Sequence, residues 1–415
     1  MPSCITIRLP GLWKAAYHFL LRNNAMYRAL FFVNVIENQL HDQVKAILQA
    51  DDEIEIVLAP RNGIDETQWN ESNLNEYESR IHCVRPVLES SRWSLQKFAL
   101  QLLRICWNYN IRLIDSHMGQ SPESRATYLA TRINRLPYIV SMYGGERNYL
   151  KDGAITPDDR RWLERVLRSA KLLLCHDKTL LEAAEKATGK KRNTYLLYNA
   201  IDPARAQRTI DRHEVRSKYD IPENAKVILF NHRIMAFKRP LVYVDALKLI
   251  KERFPNICFL FVGPKNEASN LGREIQKRLD EYGLRPDVRW VDRRVSGWEM
   301  DELYAISDVL VNVAELVVPS LSTLEAMSFG VPIVISDELD SELYVPANGD
   351  TGFIVPPQPQ AVADAVARML KDDEFRRQMG ARAADRAAEY FDIKDWGKKV
   401  ARCYRSVIFK EAIPS

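Results

Sequence analysis

Two cations and one acid are the residues whose types and spacing best suit chemistry. Arg233 and Lys238 stand five residues apart in "FNHRIMAFKRP", after an apolar run that predicts a strand. An Arg side chain can hold phosphate oxygens as a planar fork, and a Lys side chain can hold them as a point charge. Charged loops are common on protein surfaces, so the two cations indicate a phosphate site only together with other residues.

The acid is Glu325, inside the otherwise apolar, small-residue stretch "STLEAMSFG". If the helix began at Ser322, Glu325 would return to the Ser322 amide as a capping box and have only a structural role. A start at Ser320 predicts a longer helix and turns the free amides of Leu321, Ser322 and Thr323 toward an anion. Glu325 then lies in the second turn, where a carboxylate can bind the vicinal hydroxyls of a ribose. Together these features indicate a nucleotide-sugar site.

The elements that must position these residues alternate between apolar strands and helices along the whole chain. This pattern predicts an α/β protein with parallel sheets covered on both faces. The alternation breaks at the polar stretch "AIDPARAQRTIDRHEVRSKYDIPENA" and then restarts. We therefore expect two doubly wound domains, residues 1–205 and 206–390, with ligands at the carboxyl ends of the strands in the cleft between them.

Composition restricts the class of protein. The net charge of +4 over 415 residues is too small to indicate nucleic-acid binding. The six cysteines show no CxxC or CxxH spacing, so we expect neither a zinc site nor a disulfide framework, and a reducing, cytoplasmic location. Residues 1–26 carry basic residues among large apolar ones. They predict either a helix packed on its own domain or a peripheral contact with anionic lipid at the inner face of the membrane.

Several segments together resemble a known family. They are "NHRIMAFK", "FLFVGP", "EMDELYAISDVLVNV", "STLEAMSFGVPIVIS" and "NGDTGFIVPP", with thinner matches at "DSHMG", "RLPYIVSMYGGE" and "YNAID". Their order and spacing resemble glycosyltransferase family 4. The resemblance implies the GT-B fold, in which two Rossmann-like domains face a central cleft, and retaining sugar transfer from a nucleotide-diphosphate donor. The ending "YFDIKDWGKKVARCYRSV" resembles the family's helix that crosses back to the first domain, which implies a third part at 391–415.

The resemblance also implies roles for single residues. Arg233 and Lys238 match the cations that hold the donor phosphates, and Glu325 matches the acid that binds the ribose. Arg294 and Val295 follow the strand "VRWV" where the family holds the base. Ser320 to Thr323 match the helix start over the diphosphate and sugar. The donor is then a co-substrate, with UDP- or GDP-sugars expected, and neither a metal nor another cofactor is implied.

Three departures from the family pattern stand near the predicted sugar. The first Glu of the family's E-x7-E motif is Val317, and Glu315 lies two residues too early. Glu315 is either a strand-end acid or, if the loop reshapes, a sugar ligand. The family's His before Gly144 is Tyr143, which can bond a sugar hydroxyl but is a poor base near neutral pH. The Gly-Gly turn after the first strand is also missing.

On the acceptor side, His117 ends the strand "IRLIDSH" and Asp115 precedes it by two residues. Either could be the base for an incoming hydroxyl. We therefore expect a metal-independent, hexosyltransferase-type enzyme whose acceptor is a glycan, a lipid-linked molecule or a small molecule. The competing hypothesis is a non-catalytic nucleotide-sugar binder that partners an active transferase. A nucleotide-sugar epimerase of the same fold is less well supported, because "LEAMSFG" resembles the transferase pattern better.

Overall fold

The structure is a computed structural model that describes residues 26–33, 38–60, 74–84, 94–117, 122–143, 155–189, 193–295, 297–315, 320–337, 341–347 and 349–411. It contains two parallel sheets, one in each half of the chain, and helices between the strands. The predicted α/β class with two parallel sheets is confirmed. The predicted domain limits at residues 205 and 390 stay predictions.

The first half has a seven-stranded parallel sheet in the order β3-β2-β1-β4-β5-β6-β7. Its strands are β1 (Tyr27–Val33), β2 (Ile54–Pro60), β3 (Ile81–Cys83), β4 (Ile111–Ser116), β5 (Tyr138–Met142), β6 (Leu172–Cys175) and β7 (Thr194–Leu196). Its helices are α1 (Asn38–Ala50), α2 (Ser94–Asn108), α3 (Pro122–Asn134), α4 (Pro157–Ser169) and α5 (Lys178–Thr188). The strand order reverses between β1 and β4, so a crevice opens at the carboxyl ends of these two strands.

The second half has a six-stranded parallel sheet in the order β10-β9-β8-β11-β12-β13. Its strands are β8 (Lys226–Asn231), β9 (Ile257–Val262), β10 (Val288–Val291), β11 (Val309–Asn312), β12 (Ile333–Ser336) and β13 (Gly352–Val355). Its helices are α6 (Arg212–Lys218), α7 (Pro240–Lys251), α8 (Asn270–Glu281), α9 (Trp298–Ile306), α10 (Leu321–Ser328), α11 (Pro359–Leu370) and α12 (Asp373–Tyr390). The reversal falls between β8 and β11, the two strands that precede the Lys238 loop and α10.

Burial explains why these strands are continuous apolar runs. All six side chains of β9, "ICFLFV", are buried, as are all four of β11, "VLVN". A strand covered by helices on both faces has no solvent-facing side, so its residues need not alternate in polarity. The apolar runs therefore mark strand positions reliably, and the polar residues that follow each run mark the edge where ligands bind.

The last helix, α13 (Ile393–Phe409), packs against α1 of the first half. The contact is close: a Cβ atom on Gly397 would lie 2.4 Å from the carbonyl oxygen of Ala46. The two passages of the chain between the halves are also joined. The Ile201 amide donates to the Phe391 carbonyl, and the Ile393 amide donates to the Ile201 carbonyl, each at 2.9 Å. Among the described helices, none combines the length and apolar character required to cross a bilayer.

Candidate functional site: the crevice between β8 and β11

The predicted phosphate cations lie in the loop that follows β8. Arg233 is exposed, and Lys238 is half-buried at the end of the short 3-10 turn Ala236–Lys238. Burial and, to a smaller extent, the positive charge of Arg233 together lower the pKa of Lys238 to about 8. The two cations are therefore close enough to repel each other. A bound anion between them would relieve that repulsion.

The same loop is attached to the end of β11. The amide of Glu315 donates to the Phe237 carbonyl at 2.6 Å, which fixes the 3-10 turn beside the neighbouring strand. The Glu315 side chain itself is exposed. Val317 and Pro319 lie outside the described residues, as do Gly144 and residues 1–25, so predictions that concern them stay predictions.

Helix α10 begins after Ser320, the start that favoured the nucleotide-sugar hypothesis. Ser320 is the N-cap residue, and its hydroxyl makes no cap bond but lies 2.5 Å from the Ser322 hydroxyl. The Thr323 amide already donates to the Ser320 carbonyl at 2.9 Å. This corrects the expectation that three amides are free for an anion. For the amides of Leu321 and Ser322 the anion-binding role stays a prediction, since first-turn amides have no acceptor within the helix.

Glu325 is not part of a capping box. One of its carboxylate oxygens accepts a hydrogen bond from Arg205 Nη1 at 2.7 Å, and the other accepts one from the Tyr304 hydroxyl at 2.8 Å. Its side chain is 21% exposed. Each oxygen retains a further lone-pair position, so the carboxylate is held in one orientation and can still accept from two hydroxyls.

Tyr304 connects Glu325 to the end of β8. Its hydroxyl accepts a hydrogen bond from Asn231 Nδ2 at 2.9 Å while it donates to Glu325. Asn231 is the last residue of β8, two positions before Arg233. The acid on α10 and the cations after β8 are thus brought to the same edge of the sheet through one buried tyrosine.

Arg205 is the residue of this site that the sequence analysis missed. It lies in the 3-10 turn Pro203–Gln207, inside the polar link between the halves. It bonds Asp301, a fully buried acid of α9, as well as Glu325. A buried carboxylate is stable only with a partner, so the acid within "EMDELYAIS" was a signal that a cation had to be found elsewhere in the chain. Nothing in the local sequence indicated which cation would pair with Asp301.

Asp42, a residue of the first half, lies close enough to Arg205 and Glu325 to be affected by their charges. It is half-buried on α1, and burial raises its pKa to about 7. That value includes the effects of four charges: Arg205 and Lys45 act to lower the pKa, and Asp202 and Glu325 act to raise it. The field of Glu325 therefore reaches a carboxyl of the other half, so α1 of the first half faces α10 across the cleft.

The predicted base site follows β10. Arg294 is exposed and Val295 is half-buried, three and four residues after the strand ends. They lie on the far side of β9 from the Lys238 loop, since β10 and β9 precede β8 in the sheet order. This places them at the same sheet edge as the cations, two strands away from the loop that follows β8.

The acceptor-side residues follow three neighbouring strands, β4, β5 and β6. The rings of His117 and Tyr143 stack with centroids 5.3 Å apart, and the rings of Tyr143 and His176 stack at 4.0 Å. The Tyr143 hydroxyl lies 3.5 Å from Gln43 Oε1 of α1. The structure therefore brings His117 and Tyr143 together as one surface, with the fully buried His176 beneath it.

Asp115 lies below His117 and is almost inaccessible, with a side chain only 2% exposed. It accepts hydrogen bonds from Ser141, at 2.8 Å, and from Tyr404 of α13, and its Oδ2 is 3.5 Å from His117 Nε2. Burial acts to raise the pKa of Asp115, but His117 and the two hydroxyl donors outweigh it and the pKa is lowered. A buried carboxylate with a lowered pKa is a poor base, so the geometry favours His117 of the two candidates.

No group of three or more metal-ligating side chains occurs in the part of the chain that the structure describes. Both crevices are instead lined by organic cations, hydroxyls, rings and carboxylates. The crevice beside β8 and β11 can hold an anion at Lys238 and a diol at Glu325. The carboxyl ends of β4 to β6 present the imidazole of His117. Two parallel Rossmann-like sheets, each with polar and charged residues at the carboxyl ends of its strands, define the GT-B fold class.

Comparisons with known proteins agree with this class. Residues 211–386 match the family model described as glycosyl transferases group 1. The chain is 27% identical over 271 residues to a D-inositol 3-phosphate glycosyltransferase of Corynebacterium urealyticum, covering 63% of each chain. It is 28% identical over 298 residues to the alpha-D-kanosaminyltransferase of Streptomyces kanamyceticus, covering 68% of this chain and 73% of that one. The match to the first of these relatives therefore spans less than two thirds of its length.

Among solved structures, Anabaena Alr3699/HepE in complex with UDP and glucose superposes with a TM-score of 0.73 at 17% identity. The superposition covers 91% of this chain and 99% of that one. At this identity the likeness shows the fold. The predicted GT-B fold is confirmed, and residues 211–386 match a glycosyltransferase family model, whereas membership of family 4 in particular stays a prediction.

Proposed function

We propose that the protein is a retaining, metal-independent glycosyltransferase that moves a hexosyl group from a nucleotide-diphosphate donor to an acceptor hydroxyl. The observation that carries the proposal is the convergence of Arg233, Lys238 and Glu325 on one crevice, with Glu325 already oriented by Arg205 and Tyr304. The UDP complex of the Anabaena neighbour and the names of the relatives support a nucleotide-sugar donor. UDP- and GDP-sugars are the first candidates.

In this proposal the donor lies across the carboxyl ends of β8 to β11. Its diphosphate faces Arg233, Lys238 and the first-turn amides of α10, because each supplies positive charge or N–H donors to phosphate oxygens. Its ribose diol donates to the two oxygens of Glu325. Its base lies beside Arg294 and Val295. Glu315, three residues after β11, is the candidate ligand of the sugar.

The reaction breaks the bond between the sugar C1 atom and a phosphate oxygen, and the electron pair leaves with the diphosphate. Negative charge therefore grows on the group that Lys238 and Arg233 face. Charges fixed in place before the reaction stabilise such a transition state without reorganisation. Removing one of them should cost about 2–4 kcal/mol of barrier, or about 10²–10³ in rate.

On the acceptor side, His117 accepts the proton of the attacking hydroxyl. Asp115 is a positioning residue that orients the imidazole from below, and Tyr143 bonds a sugar hydroxyl, with Gly144 next to it. The new bond forms on the face of the sugar from which the diphosphate leaves, so the product keeps the configuration of the donor. The acceptor is a glycan, a lipid-linked molecule or a small molecule with a free hydroxyl.

A donor screen tests this function directly. UDP-, GDP- and ADP-sugars are added to the full chain, and the melting temperature and the release of nucleoside diphosphate are measured. A true donor at 100 times its dissociation constant stabilises the fold by about 2.7 kcal/mol. Lys238→Ala should abolish the shift and the release, while Lys277→Ala, an exposed lysine paired with Glu281 on α8, should leave both unchanged.

Two results would contradict the proposal. If no nucleotide sugar binds, the crevice between β8 and β11 is not a donor site. Tight binding that depends on Lys238, with neither hydrolysis nor transfer to any acceptor, would instead favour the non-catalytic binder.

A further inference from the structure

A second cavity lies at the opposite edge of the second sheet from the donor crevice. Its volume is about 380 Å³, and it borders Lys226, the first residue of β8, and Asp308 and Pro332, the residues just before β11 and β12. Helix α6 and the first turn of α12 complete its wall. Because β8 is six residues long, about 20 Å of sheet separates this cavity from the Arg233 loop.

The lining of this cavity has an excess of positive charge. Five cationic side chains and three acidic ones line it, and one of the cations, Arg377, pairs with Glu374 outside the lining at 2.7 Å. Of the three acids, Glu223 pairs with His213, and the other two are engaged with cations of the lining. Lys226 bonds both oxygens of Asp373 at 2.8 Å, and Arg376 bonds Asp308 at 3.0 Å as well as Asp373.

Two arginines of α6, Arg216 and Arg212, have no carboxylate oxygen closer than 4.0 Å within the part of the chain that the structure describes. Arg216 is buried, and its Nη1 donates to the carbonyls of Pro222 and Ala225 at 2.8 and 3.0 Å. Its nearest carboxylate oxygen, on Asp308, is 4.0 Å away. Arg212 stands at the exposed rim and donates to the carbonyl of Ala305. Of the described residues, none offers Arg212 a carboxylate within ion-pair distance.

We propose that this cavity is a binding site for a small phosphorylated anion, separate from the donor crevice. Guanidinium groups recognise phosphate oxygens by paired N–H donors, and each of the two arginines has such donors beyond those bonded to carbonyls. A lining with more cations than acids in a partly enclosed space attracts anions, which gives binding its driving force. The cavity lies in the usual size range of small-molecule sites, about 300–1,000 Å³, and is larger than a bare phosphate requires.

Inorganic phosphate is the probe that tests the site, by calorimetric titration of the full-length chain at constant ionic strength. Lys238→Ala serves as the parent, so that the predicted donor crevice does not take up the probe. We expect one saturable binding event. Arg212→Gln should weaken it about tenfold, the effect of losing a single charge-assisted hydrogen bond, and Arg212→Glu should abolish it.

The control is Arg285→Gln, an exposed arginine of the same half that pairs with Asp280 outside the cavity. It should leave phosphate binding within twofold of the parent. Melting temperatures of all variants establish that each is folded, which the exposed positions of Arg212 and Arg285 favour. Absence of a saturable event in the parent, or equal effects of Arg212→Gln and Arg285→Gln, would overturn the proposal. Neither result depends on whether the protein transfers sugar.

Discussion

Arg205 and Glu325 form an ion pair of 2.7 Å between the link that joins the two halves and the helix at the predicted donor site. The link therefore supplies a residue that contacts the predicted donor site. Its guanidinium also holds Asp301, so one residue fixes two acids of the second half, only one of which faces the cleft. The orientation of the predicted ribose ligand thus depends on the chain segment around which the halves are joined.

Arg205→Ala should reduce both stability and donor affinity. It leaves the fully buried Asp301 without its main partner and frees Glu325 to change orientation. Breaking a buried ion pair from one side typically costs about 3–5 kcal/mol, measured as the free energy of unfolding in urea. Arg208→Ala is the matched control, because Arg208 lies 3.5 Å from the same Asp301 but is 44% exposed. Its cost should stay below about 1 kcal/mol, and equal losses for the two variants would refute the role given to Arg205.

Donor affinity should fall as pH rises through about 8. The pKa of Lys238 is lowered to about 8 in the free protein by burial and by Arg233, so deprotonation begins near neutral pH. A bound diphosphate favours the charged lysine, and loss of the proton therefore weakens binding by up to tenfold for each pH unit above 8. Dissociation constants measured from pH 6.5 to 9.5 check this. Lys238→Arg should remove the pH dependence, and a flat wild-type profile would contradict it.

Asp42 should make the fold less stable as pH rises from about 4 to about 7. Burial raises its pKa to about 7 from an ordinary value of 3.8. Across this window the folded chain keeps a proton that the unfolded chain has lost, so stability falls with pH and becomes constant above 7. Asp42→Asn removes this loss. Its advantage over wild type in the free energy of unfolding should be near zero at pH 4 and about 1–2 kcal/mol at pH 7, after solvent screening. An advantage that does not change with pH would contradict the assigned pKa.

His117→Ala should slow sugar transfer by about 10²–10³ while leaving the dissociation constant of the donor unchanged. The imidazole lies on the acceptor side, away from the β8–β11 crevice, so donor binding does not depend on it. Donor hydrolysis by water should decrease less than transfer, since water needs no positioned hydroxyl. His82→Ala on β3 is the control, a half-buried histidine paired with Glu55. A loss of donor binding in His117→Ala would show that the two sides of the cleft are wrongly assigned.

Asp115→Asn tests the positioning role by a different measurement. If Asp115 orients His117, its loss should lower kcat while leaving the dissociation constant of the donor unchanged, because the imidazole loses the carboxylate that lies 3.5 Å from its Nε2. Tyr404→Phe removes one hydrogen bond to the same carboxylate from α13 and should lower kcat by less. An equal fall in kcat when Asp115→Asn is added to His117→Ala would indicate a role in packing alone.

The residues that sequence alone located are those tied to the ends of strands. Arg233, Glu315 and His117 each follow an apolar run that is buried on both faces, and such runs are recognisable without any partner. The start of α10 at Ser320 was also predictable, since a start at Ser322 would have left too short a helix before Gly330. Local sequence patterns therefore predicted the carboxyl ends of the strands and much of the predicted donor crevice.

The residues that sequence did not locate are those defined by pairs far apart in the chain. Arg205 meets Glu325 across 120 positions, and Tyr404 meets Asp115 across 289. Burial is the main cause of the raised pKa of Asp42, and three of the four charges that modify it, Arg205, Asp202 and Glu325, lie far away in the sequence. No periodicity or motif encodes such pairings, because they follow from how the two halves and the last helix are placed. Helix α12, whose first turn lines the second cavity, was missed for a simpler reason: its "DEFRRQMGARAADRAAEY" is mostly polar, with few apolar residues to mark a buried face.

The two backbone bonds between Ile201 and the residues on either side of Asp392 have a mechanical consequence. Because both chain passages run side by side and are bonded to each other, they act as one joint. Rotation about that joint leaves the two hydrogen bonds of Ile201 intact, whereas sliding of one half of the protein along the other would break both of them. Capture and release of substrates would then be a swinging motion, with its largest amplitude at the rim farthest from residue 201.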